Sequence, residues 1–413
     1  MEILPLNAIV YNQEKVKMED VIAPPYDVID TNYQQNLYNK SPYNIVRLIL
    51  SKEEDKYNSA KRDFEDWENK EVLIKTEKPT IFYIIQKYTN EKGKTIERKG
   101  FIARNKIEDF STKKILPHEF TMGGPKQDRL NLVSATGAFF SQIFMVYDDK
   151  TQSIEKMAQK YLSKEPFIDV VDDNGVENIV YLIDEPNDIE TIQNTLKDKV
   201  LLIADGHHRY ETSMNYSKLH PENEEAKYVM SYFTNAADEN LIIYPTHRII
   251  EKSFSKEEIL SAVKKHYDIA ECSNKEEFLD TIEKENKKQI TTGLILKNDE
   301  KFYVLKLKKD EEKKVNSPSV LQKLDLMVLH ELVLKGELGF SNDELMAQNG
   351  IKYEKKEDVS FKAIQNGASA VFVMAYPKMQ DIIDISSAGE RMPQKSTYFY
   401  PKLLSGIVIN PLQ

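Results

Sequence analysis

The stretch Val200-Leu201-Leu202-Ile203-Ala204-Asp205-Gly206-His207-His208-Arg209-Tyr210-Glu211-Thr212 combines an apolar run, a tight turn and a cluster of polar side chains. The apolar run is typical of a short strand that is covered on both faces. Gly206 allows a turn that a side chain would hinder, and a helix is predicted to begin at His207. A helix N-terminus attracts anions, and the guanidinium group of Arg209 fits phosphate or carboxylate, so the stretch predicts an anion site. A capped surface helix with a solvated histidine pair is the alternative.

A second polar stretch runs from His118 to Arg129. Glu119 can accept a proton from a hydroxyl group, and His118 can orient that group or assist a metal ion. Lys126 and Arg129 can neutralise phosphate. The intervening Gly123-Gly124-Pro125 predicts an irregular loop, and loops on a rigid scaffold often carry functional residues. A solvated polar loop is the alternative.

Two further basic clusters lie later in the chain. The apolar run over 241–244 predicts a strand, and His247 and Arg248 are expected at its end. Lys395-Ser396-Thr397 has the residue types of a phosphate-binding loop but lacks the glycine-rich spacing of a P-loop. The repeated combination of Arg or Lys with His, Ser or Thr predicts one site for a small phosphorylated ligand.

The N-terminal region supplies candidates for substrate binding. Pro24 and Pro25 stiffen the loop ahead of Tyr26 and Asp27, so these two side chains are expected to project from a rigid base. Arg47 lies in an apolar run that predicts a strand, where an arginine pairs with a carboxylate of the protein or binds an anionic ligand. A plain connector is the alternative for the proline-rich loop.

The composition limits the class of protein. The chain of 413 residues has 57 basic and 67 acidic side chains, hence a net charge of −10, which argues against nucleic acid as the main partner. No apolar run reaches the length of a membrane span, and the N-terminus lacks the pattern of a signal peptide. Cys272 is the single cysteine, so neither an intramolecular disulfide nor a cysteine-based zinc site is expected. These features predict a cytoplasmic protein without a membrane partner, and they leave the oligomeric state open.

Strand-like and helix-like segments are interleaved along the chain, which predicts a mixed α/β fold. A shift to lysine- and glutamate-rich helices divides the chain into an α/β domain over 1–250 and an α+β domain over 251–413. The first is expected to carry the phosphate-binding motif and the second to contribute Lys395-Ser396-Thr397. The spacing of apolar residues predicts helices over 56–70 and 318–335.

Two other chemistries fit the chain less well. A serine hydrolase would need a Gly-x-Ser-x-Gly elbow, which the sequence lacks. A zinc hydrolase would need His118, Glu119, Asp205 and one of the adjacent histidines to meet in space. Adjacent side chains on a helix or strand point in different directions, so His207 and His208 are poorly placed to bind one metal ion together.

Six short motifs occur in an order that covers essentially the whole chain. They are Ala23-Pro24-Pro25-Tyr26-Asp27-Val28-Ile29, Ser41-Pro42-Tyr43-Asn44, Leu116-Pro117-His118-Glu119, Ala204-Asp205-Gly206-His207-His208-Arg209-Tyr210-Glu211, Pro245-Thr246-His247-Arg248 and Met392-Pro393-Gln394-Lys395-Ser396-Thr397. By these motifs the chain resembles the bacterial and archaeal family known as domain of unknown function 1015. That family name implies no activity.

The segment Asp205-Gly206-His207-His208-Arg209 also resembles the Asp-Gly-His-His-Arg signature of ParB/sulfiredoxin-like proteins. The resemblance implies a nucleotide-binding core in which this segment follows a strand, begins a helix and binds nucleotide phosphates. Members include free serine kinases, CTP-hydrolysing partition proteins and sulfiredoxins. The sulfiredoxin cysteine would stand where this chain has Gly206 or His207, and no basic DNA-binding region follows, so the kinase branch remains.

Residues and resemblance together predict a nucleotide-dependent phosphotransferase that acts on a small hydroxyl metabolite, with serine or phosphoserine as the first candidate. Catalysis is assigned to Glu119 as the base, with His118 orienting it and Asp205 in the phosphate-binding segment. Mg²⁺ is expected to bridge the phosphates of ATP or ADP. A phosphomonoester hydrolase and a non-catalytic nucleotide-binding regulator are the alternatives.

The remaining site residues are assigned to ligand binding. Phosphate and nucleotide contacts are assigned to Gly206, His207, His208, Arg209, Lys126, Arg129, His247, Arg248, Lys395, Ser396 and Thr397. Substrate contacts are assigned to Tyr26, Asp27 and Arg47. No residue is assigned as a metal ligand.

Overall fold

The computed structural model describes residues 1–90, 93–121, 123–393 and 395–412. The chain forms two compact units. Unit 1 comprises Met1–Pro117, Thr121–Leu241 and Pro401–Gln413, and unit 2 comprises His118–Phe120 and Ile242–Tyr400. The change of unit thus comes earlier than the predicted one at residue 250, and the end of the chain belongs to unit 1.

The elements alternate as the sequence predicts, and the mixed α/β class is confirmed. The strands are β1 Ile3–Leu4, β2 Ile9–Tyr11, β3 Leu73–Lys75, β4 Ile81–Thr89, β5 Thr95–Lys106, β6 Ile115–Leu116, β7 Ala138–Phe139, β8 Ile143–Tyr147, β9 Ile168–Val171, β10 Glu177–Ile183, β11 Leu201–Asp205, β12 Tyr228–Asn235, β13 Ile242–Tyr244, β14 His247–Ile250, β15 Tyr267–Cys272, β16 Thr291–Leu296, β17 Phe302–Leu307, β18 Ile351–Glu354, β19 Ala370–Val373, β20 Tyr398–Tyr400 and β21 Asn410–Pro411. The helices are α1 Met18–Val21, α2 Thr31–Lys40, α3 Val46–Ile49, α4 Lys56–Asn69, α5 Gly123–Thr136, α6 Ser153–Ala158, α7 Pro186–Leu196, α8 His207–Leu219, α9 Lys256–His266, α10 Lys275–Glu285, α11 Asp325–Val328, α12 Asn342–Ala347, α13 Glu357–Gln365 and α14 Met379–Ser387.

Unit 1 is built on a mixed sheet in the order β6-β11-β8-β12-β5-β4-β10-β9, and β1 pairs with β5. The strand β11 pairs in parallel with β6 and antiparallel with β8, so it lies inside the sheet. Its apolar residues are buried, as predicted for a strand covered on both faces. Helices α6 and α7 pack their apolar faces onto this sheet through residues such as Ile154 and Ile192. The sheet therefore holds Asp205, the last residue of β11, at a rigid edge.

Unit 2 is built on the sheet β15-β17-β16-β19-β14-β18, whose neighbours are antiparallel. Alternate residues of β16 face opposite sides. Leu294 packs with α9 and the π-helical segment Leu329–Lys335, whereas Ile295 packs with α10 and α13. Helices thus cover both faces of the sheet.

The last residues of the chain return to unit 1 and pair there. Strand β21 pairs with β7, and Ile409 and Ser405 form backbone bridges with Ile9 and Ala23. These pairings join residues several hundred positions apart. A shift in local composition therefore cannot predict them. The predicted extent of 251–413 for the second domain differs from unit 2 for this reason.

Three local predictions need correction. Gly123-Gly124-Pro125, predicted as an irregular loop, forms the first turn of α5. A proline is tolerated there because the first N–H groups of a helix have no intrahelical partner. Arg47 lies in α3 and not in a strand. The helix predicted over 318–335 begins only at Asp325, since Leu324 before it has an extended backbone (φ −82°, ψ 125°).

The helix predicted over 56–70 is confirmed as α4, with Ala60, Phe64 and Trp67 buried on one face. No helix in the described part of the chain is both long and apolar enough to cross a membrane.

Candidate functional site

The joint between β11 and α8 has the predicted strand–turn–helix form. Asp205 ends the strand, Gly206 has a left-handed backbone (φ +89°), and α8 begins at His207. Gly206 stands at the N-cap position and has no side chain with which to cap the helix. Tyr210 N donates to Gly206 O at 2.9 Å, so the helical hydrogen bonds begin directly after the turn. The first N–H groups of this 13-residue helix provide the anion-attracting end that the sequence predicts.

Asp205 is held between two cations. Its Oδ2 lies 2.7 Å from Arg209 Nη2, and its Oδ1 lies 2.6 Å from Lys402 Nζ. Burial opposes ionisation of the carboxyl group, but the charges of Lys402 and Arg209 outweigh it and hold the pKa of Asp205 well below its usual value. Asp205 is therefore a fixed anion that organises the joint.

The Arg209 guanidinium makes its hydrogen bonds to other groups of the protein. Besides Asp205, its guanidinium donates to the carbonyl of Gln142. The same group folds back over Gly206, where an added Cβ would lie 2.9 Å from Nη2. The phosphate-binding role predicted for Arg209 thus stays a prediction, and its visible role is to tie α8 to the sheet.

Lys402 is the residue of this site that sequence reasoning missed. Its neighbour Pro401 accepts a hydrogen bond at 2.7 Å from Arg98, which is fully buried in β5. Gln86 in β4 donates to the carbonyl of Lys402 at 3.5 Å. Two buried side chains of the sheet therefore fix the backbone that brings Lys402 to Asp205. The sequence signal for Lys402 is weak, since this residue lies five positions after the predicted phosphate-binding segment Lys395-Ser396-Thr397.

Lys126 and Glu211 form a second polar group next to the same helix. Lys126 Nζ lies 2.7 Å from Glu211 Oε2 and 3.2 Å from Thr121 Oγ1. Thr121 Oγ1 in turn donates to both carboxylate oxygens of Glu211 at 2.8 Å. Glu211 lies one turn into α8, and the sequence alone predicts no role for it. Lys126 thus lies beside the α8 N-terminus with a carboxylate partner.

Arg129 and Tyr26 lie against each other in the lining of a small cavity. The guanidinium of Arg129 stacks 4.1 Å from the centre of the Tyr26 ring, and its Nε lies 3.0 Å from Asp128 Oδ2. Burial opposes ionisation of Asp128, but Lys56 and Arg129 lower the pKa of its carboxyl group to about 2. A cavity of about 40 Å³ is lined by Tyr26, Arg129 and Arg209 among others. The structure therefore brings three predicted binding residues together.

His208 faces this region with a shifted pKa. Burial lowers the pKa of the His208 imidazole below its usual value, and the nearby Glu211 and Asp27 oppose that shift. The ring is therefore neutral at pH 7. His207 is buried, whereas Asp27 is exposed on a short 3₁₀ turn. The histidine pair is divided between the core and the site, as expected for adjacent side chains on a helix.

Arg47 does not join this group. Its Nη2 donates to Tyr38 O at 3.1 Å, and its guanidinium stacks 4.3 Å from the centre of the Tyr38 ring. It holds α2 to α3, so these contacts are structural.

In unit 2, His118 and Glu119 meet the motif that begins at Met392. His118 Nε2 forms a 2.9 Å hydrogen bond with Thr397 Oγ1, and Met392 N donates to His118 O at 2.8 Å. Glu119 pairs with Met392 as a parallel bridge, and its Oε1 lies 4.0 Å from His118 Nε2. His118 is fully buried, whereas about a quarter of the Glu119 side chain (26%) is exposed. Two sequence motifs about 270 residues apart thus form one cluster, although Gln394 of the second lies outside the described residues.

His247 and Arg248 were predicted at the end of a strand, but they lie within β14 and are buried. His247 Nδ1 accepts a hydrogen bond from Met374 N at 3.1 Å, and burial lowers the pKa of its imidazole to about 4. Arg248 donates to His330 Nε2 at 3.1 Å and to Lys395 O at 3.3 Å. The turn at Pro245-Thr246 begins a new strand directly, which places both residues in the core. Their contacts are those of a structural pair, and the ligand-binding role predicted for them stays a prediction.

The carboxylates and imidazoles of the described residues do not form a ready metal site. Among the described residues, no group of three or more His, Cys, Asp or Glu side chains lies close enough to hold a metal ion. A Mg²⁺ ion that bridges nucleotide phosphates needs only one or two protein carboxylates, so this finding leaves it open.

Replacing Gly206 with alanine is expected to lower the free energy of unfolding of unit 1 by more than about 1–2 kcal/mol, which is the cost of placing an alanine in the left-handed region. The loss is larger than this cost because the new Cβ also displaces Arg209 from Asp205. Gly175 is the matched control, since it has a similar backbone (φ +77°) with no atom within 4 Å of an added Cβ. Trp67, the one tryptophan of the chain, is buried in unit 1, so its fluorescence during urea unfolding reports on this unit. Equal losses in the two alanine variants would show that the Arg209 contact contributes nothing.

Comparison with solved structures finds low similarity over most of the chain. A free serine kinase in complex with AMP is 14% identical, covers 73% of this chain and 89% of its own, and has a TM-score of 0.37. A conserved hypothetical protein from Pyrococcus furiosus is 15% identical over 73% of this chain and 93% of its own, with a TM-score of 0.35. A C-terminally truncated SbnI from Staphylococcus aureus is 9% identical over 75% and 87%, with a TM-score of 0.38. These scores do not assign an activity to this chain, and the ParB/sulfiredoxin-like core stays a prediction from the motif.

No curated protein matches the chain significantly. The family model described as "Protein of unknown function (DUF1015)" matches residues 3–327, which is most of the sequence. The match includes the β11–α8 joint and the His118-Glu119 motif. The resemblance inferred from the six motifs is therefore confirmed, and the chain belongs to the DUF1015 family.

Proposed function

We propose that this protein is a nucleotide-dependent phosphotransferase that acts on a small hydroxyl metabolite, with free L-serine or phosphoserine as the first candidate. The β11–α8 joint is the observation that carries the proposal. Its left-handed Gly206 and its helix without a side-chain cap form the kind of backbone anion site that binds phosphates. The partly buried, ionised Asp205 orients Arg209 and Lys402 next to it. The Asp-Gly-His-His-Arg resemblance supports a nucleotide as the source of those phosphates.

Lys126 is the cation that we assign to the phosphates. It lies beside α8, and its present partner Glu211 holds it within reach of Thr121. Phosphate oxygens at the helix N-terminus would compete with Glu211 for the Lys126 ammonium group. The freed Glu211 carboxylate is then the protein group that we assign to Mg²⁺, which in such sites is shared between one or two carboxylates and the phosphates.

Arg209 and Lys402 act by keeping Asp205 ionised and in place. Arg129 and Tyr26 form the wall of the adjoining cavity, where the planar guanidinium lies against the ring. Catalysis of this kind depends mainly on positioning and on neutralisation of charge. A rigid set of paired charges therefore suits the proposal.

Glu119 remains our proposed base for the acceptor hydroxyl, with His118 and Thr397 as the groups that position it. The support is local to unit 2, where the Glu119 side chain is partly exposed while His118 is buried and hydrogen-bonded to Thr397. Lys395 is exposed with a left-handed backbone (φ +57°), and Ser396 is buried. These two residues and Thr397 retain their proposed phosphate-binding roles.

A thermal-shift screen with ATP, ADP and AMP, each with and without Mg²⁺, tests the proposal. We expect ATP and ADP to raise the melting temperature, since a ligand at about 100 times its Kd stabilises the folded state by about 2.7 kcal/mol. Lys126→Ala is expected to reduce the shift. Lys78→Ala is the control, because Lys78 is a largely exposed lysine of unit 1 (68%).

The same preparation separates the alternatives. Formation of ADP from ATP only when L-serine is added supports the transferase. Release of phosphate from phosphoserine without nucleotide supports the hydrolase, and a nucleotide-induced shift without turnover supports the regulator. Absence of a shift with every phosphate-bearing ligand contradicts the proposed site.

A further inference from the structure

Unit 2 contains a cavity of about 250 Å³, and its lining includes Met392, the residue that bridges to Glu119. Its walls come from the residues after α10, the start of α11, the segment after β19 and the first turn of α14. Leu324, Ile382 and Met392 supply apolar surface, and Ser396 is the one lining residue that already has an assigned role. The volume is close to the lower limit of ligand pockets and suits a small metabolite.

The polar lining combines cations with carboxylates. The cations are Lys287, Lys288, Lys323 and Lys378, and the carboxylates are Asp325 and Asp381. With all six ionised, four positive and two negative charges leave a net charge of +2. A cavity of this composition favours a ligand with a net negative charge that also carries a positive group.

The four lysines of the cavity differ in their contacts within the protein. Lys288 pairs with Glu285 at 2.9 Å, and Lys378 Nζ donates to Asn286 O at 3.1 Å. For Lys287 and Lys323, by contrast, the described residues provide no ion pair within 4 Å. These two ammonium groups are available to the anionic groups of a ligand.

The carboxylates are incompletely neutralised. Burial raises the pKa of Asp325 to about 6, although the Leu326 amide donates to its Oδ1 at 2.7 Å and the charge of Arg248 opposes the shift. Burial likewise raises the pKa of Asp381, against the charges of Lys378 and Lys323. An ammonium group placed between these carboxylates would stabilise their ionised forms.

We propose that this cavity binds a small molecule that carries two anionic groups and one ammonium group. Lys287 and Lys323 bind the anionic groups, and Asp381 binds the ammonium group at the first turn of α14. A phosphorylated amino acid has this chemistry. The proposal concerns binding within unit 2 and stands whether or not the chain transfers phosphate.

Calorimetric titration of the full chain without nucleotide tests the proposal with three probes. O-phospho-L-serine carries all three groups, 3-phosphoglycerate lacks the amine, and L-serine lacks the phosphate. We expect O-phospho-L-serine to bind at least about tenfold more tightly than either of the others. The double variant Lys287→Gln/Lys323→Gln is expected to weaken that binding about tenfold or more, while Lys309→Gln, at an exposed lysine of unit 2 outside the cavity, leaves it unchanged.

Asp381→Asn is expected to remove the preference for the amine, so that O-phospho-L-serine and 3-phosphoglycerate bind alike. Asp381→Glu, which keeps the charge, is expected to restore part of the preference. Circular dichroism identifies any variant that fails to fold. Equal binding of O-phospho-L-serine by the wild type and the double lysine variant overturns the proposal, as does equal affinity of the wild type for the three probes. A loss of nucleotide binding in the unit 1 variant Lys126→Ala, with phosphoserine binding intact, distinguishes this site from the proposed phosphate site.

Discussion

Replacing Asp205 with asparagine is expected to lower the free energy of unfolding of unit 1 by about 3 kcal/mol. The asparagine keeps the shape of the side chain but removes its charge, which leaves Arg209 and Lys402 without their shared counter-ion. Both cations are mostly buried, so water compensates them poorly. Urea unfolding followed by the fluorescence of Trp67 measures the change.

Asp66 provides the matched control. Its carboxylate pairs with Lys70 at 2.7 Å on the surface of α4, also in unit 1, and about half of each side chain is exposed. Because exposed ion pairs contribute little, Asp66→Asn is expected to change the same free energy by about 0.5 kcal/mol or less. Similar losses in the two variants would contradict the role that we assign to burial at Asp205.

The pH dependence of the Asp205→Asn effect has a definite sign. The folded state lowers the pKa of Asp205 below its ordinary value near 3.8. The ionised carboxylate therefore stabilises the protein fully at pH values above its unfolded pKa, and this contribution declines as the pH falls toward the folded pKa. We expect the difference between wild type and variant to be constant from about pH 5 to 7 and to shrink below about pH 4.

Features that depend on neighbouring residues were predictable from the sequence. The β11–α8 joint is an example, because an apolar run, a glycine and a polar helix start are all local signals. The helix α4 was predictable for the same reason. The start of α5 was not, because a glycine pair with a proline is compatible both with a loop and with the first turn of a helix. Only the packing of the whole helix decides between them.

Features that depend on distant residues were not predictable. Lys402 reaches Asp205 because Arg98 and Gln86 hold the backbone of the chain end, and no local pattern links these four positions. His118 meets Thr397 in the same way, through a backbone bridge between Glu119 and Met392. A motif supplies the residue types of a site, and the sheet topology decides which of them meet.

Basic residues next to His and Thr were the common signal of the predicted site, and the structure divides them by burial. Arg248 carries the signal but is 1% exposed and bound to His330 and to the Lys395 carbonyl. Lys126 carries it too, and remains partly exposed beside a helix N-terminus. Burial therefore separates a structural cation from a candidate ligand-binding residue. The sequence pattern does not show whether a single arginine in an apolar run is buried.

Glu119→Gln is expected to reduce kcat of the proposed phosphotransfer about 10²–10⁴-fold while nucleotide affinity changes by less than about twofold. Glutamine keeps the shape of the side chain, and the backbone bridge to Met392 does not depend on the carboxylate. The variant therefore removes the proton acceptor and little else. Steady-state kinetics with L-serine and ATP give kcat, and the thermal shift with ATP gives the binding control.

Two further variants separate a base from a structural acid. Glu119→Asp retains a carboxylate and is expected to recover part of the lost kcat, whereas a purely structural role would make the shorter side chain as harmful as glutamine. Glu251→Gln is the control, because Glu251 pairs with Lys352 on the surface of unit 2 and is expected to leave kcat unchanged. Unaltered turnover in Glu119→Gln would remove Glu119 as the base. That result would leave the proposed phosphate site untouched, because nucleotide binding is assigned to the β11–α8 joint of unit 1. Another residue would then have to act as the base.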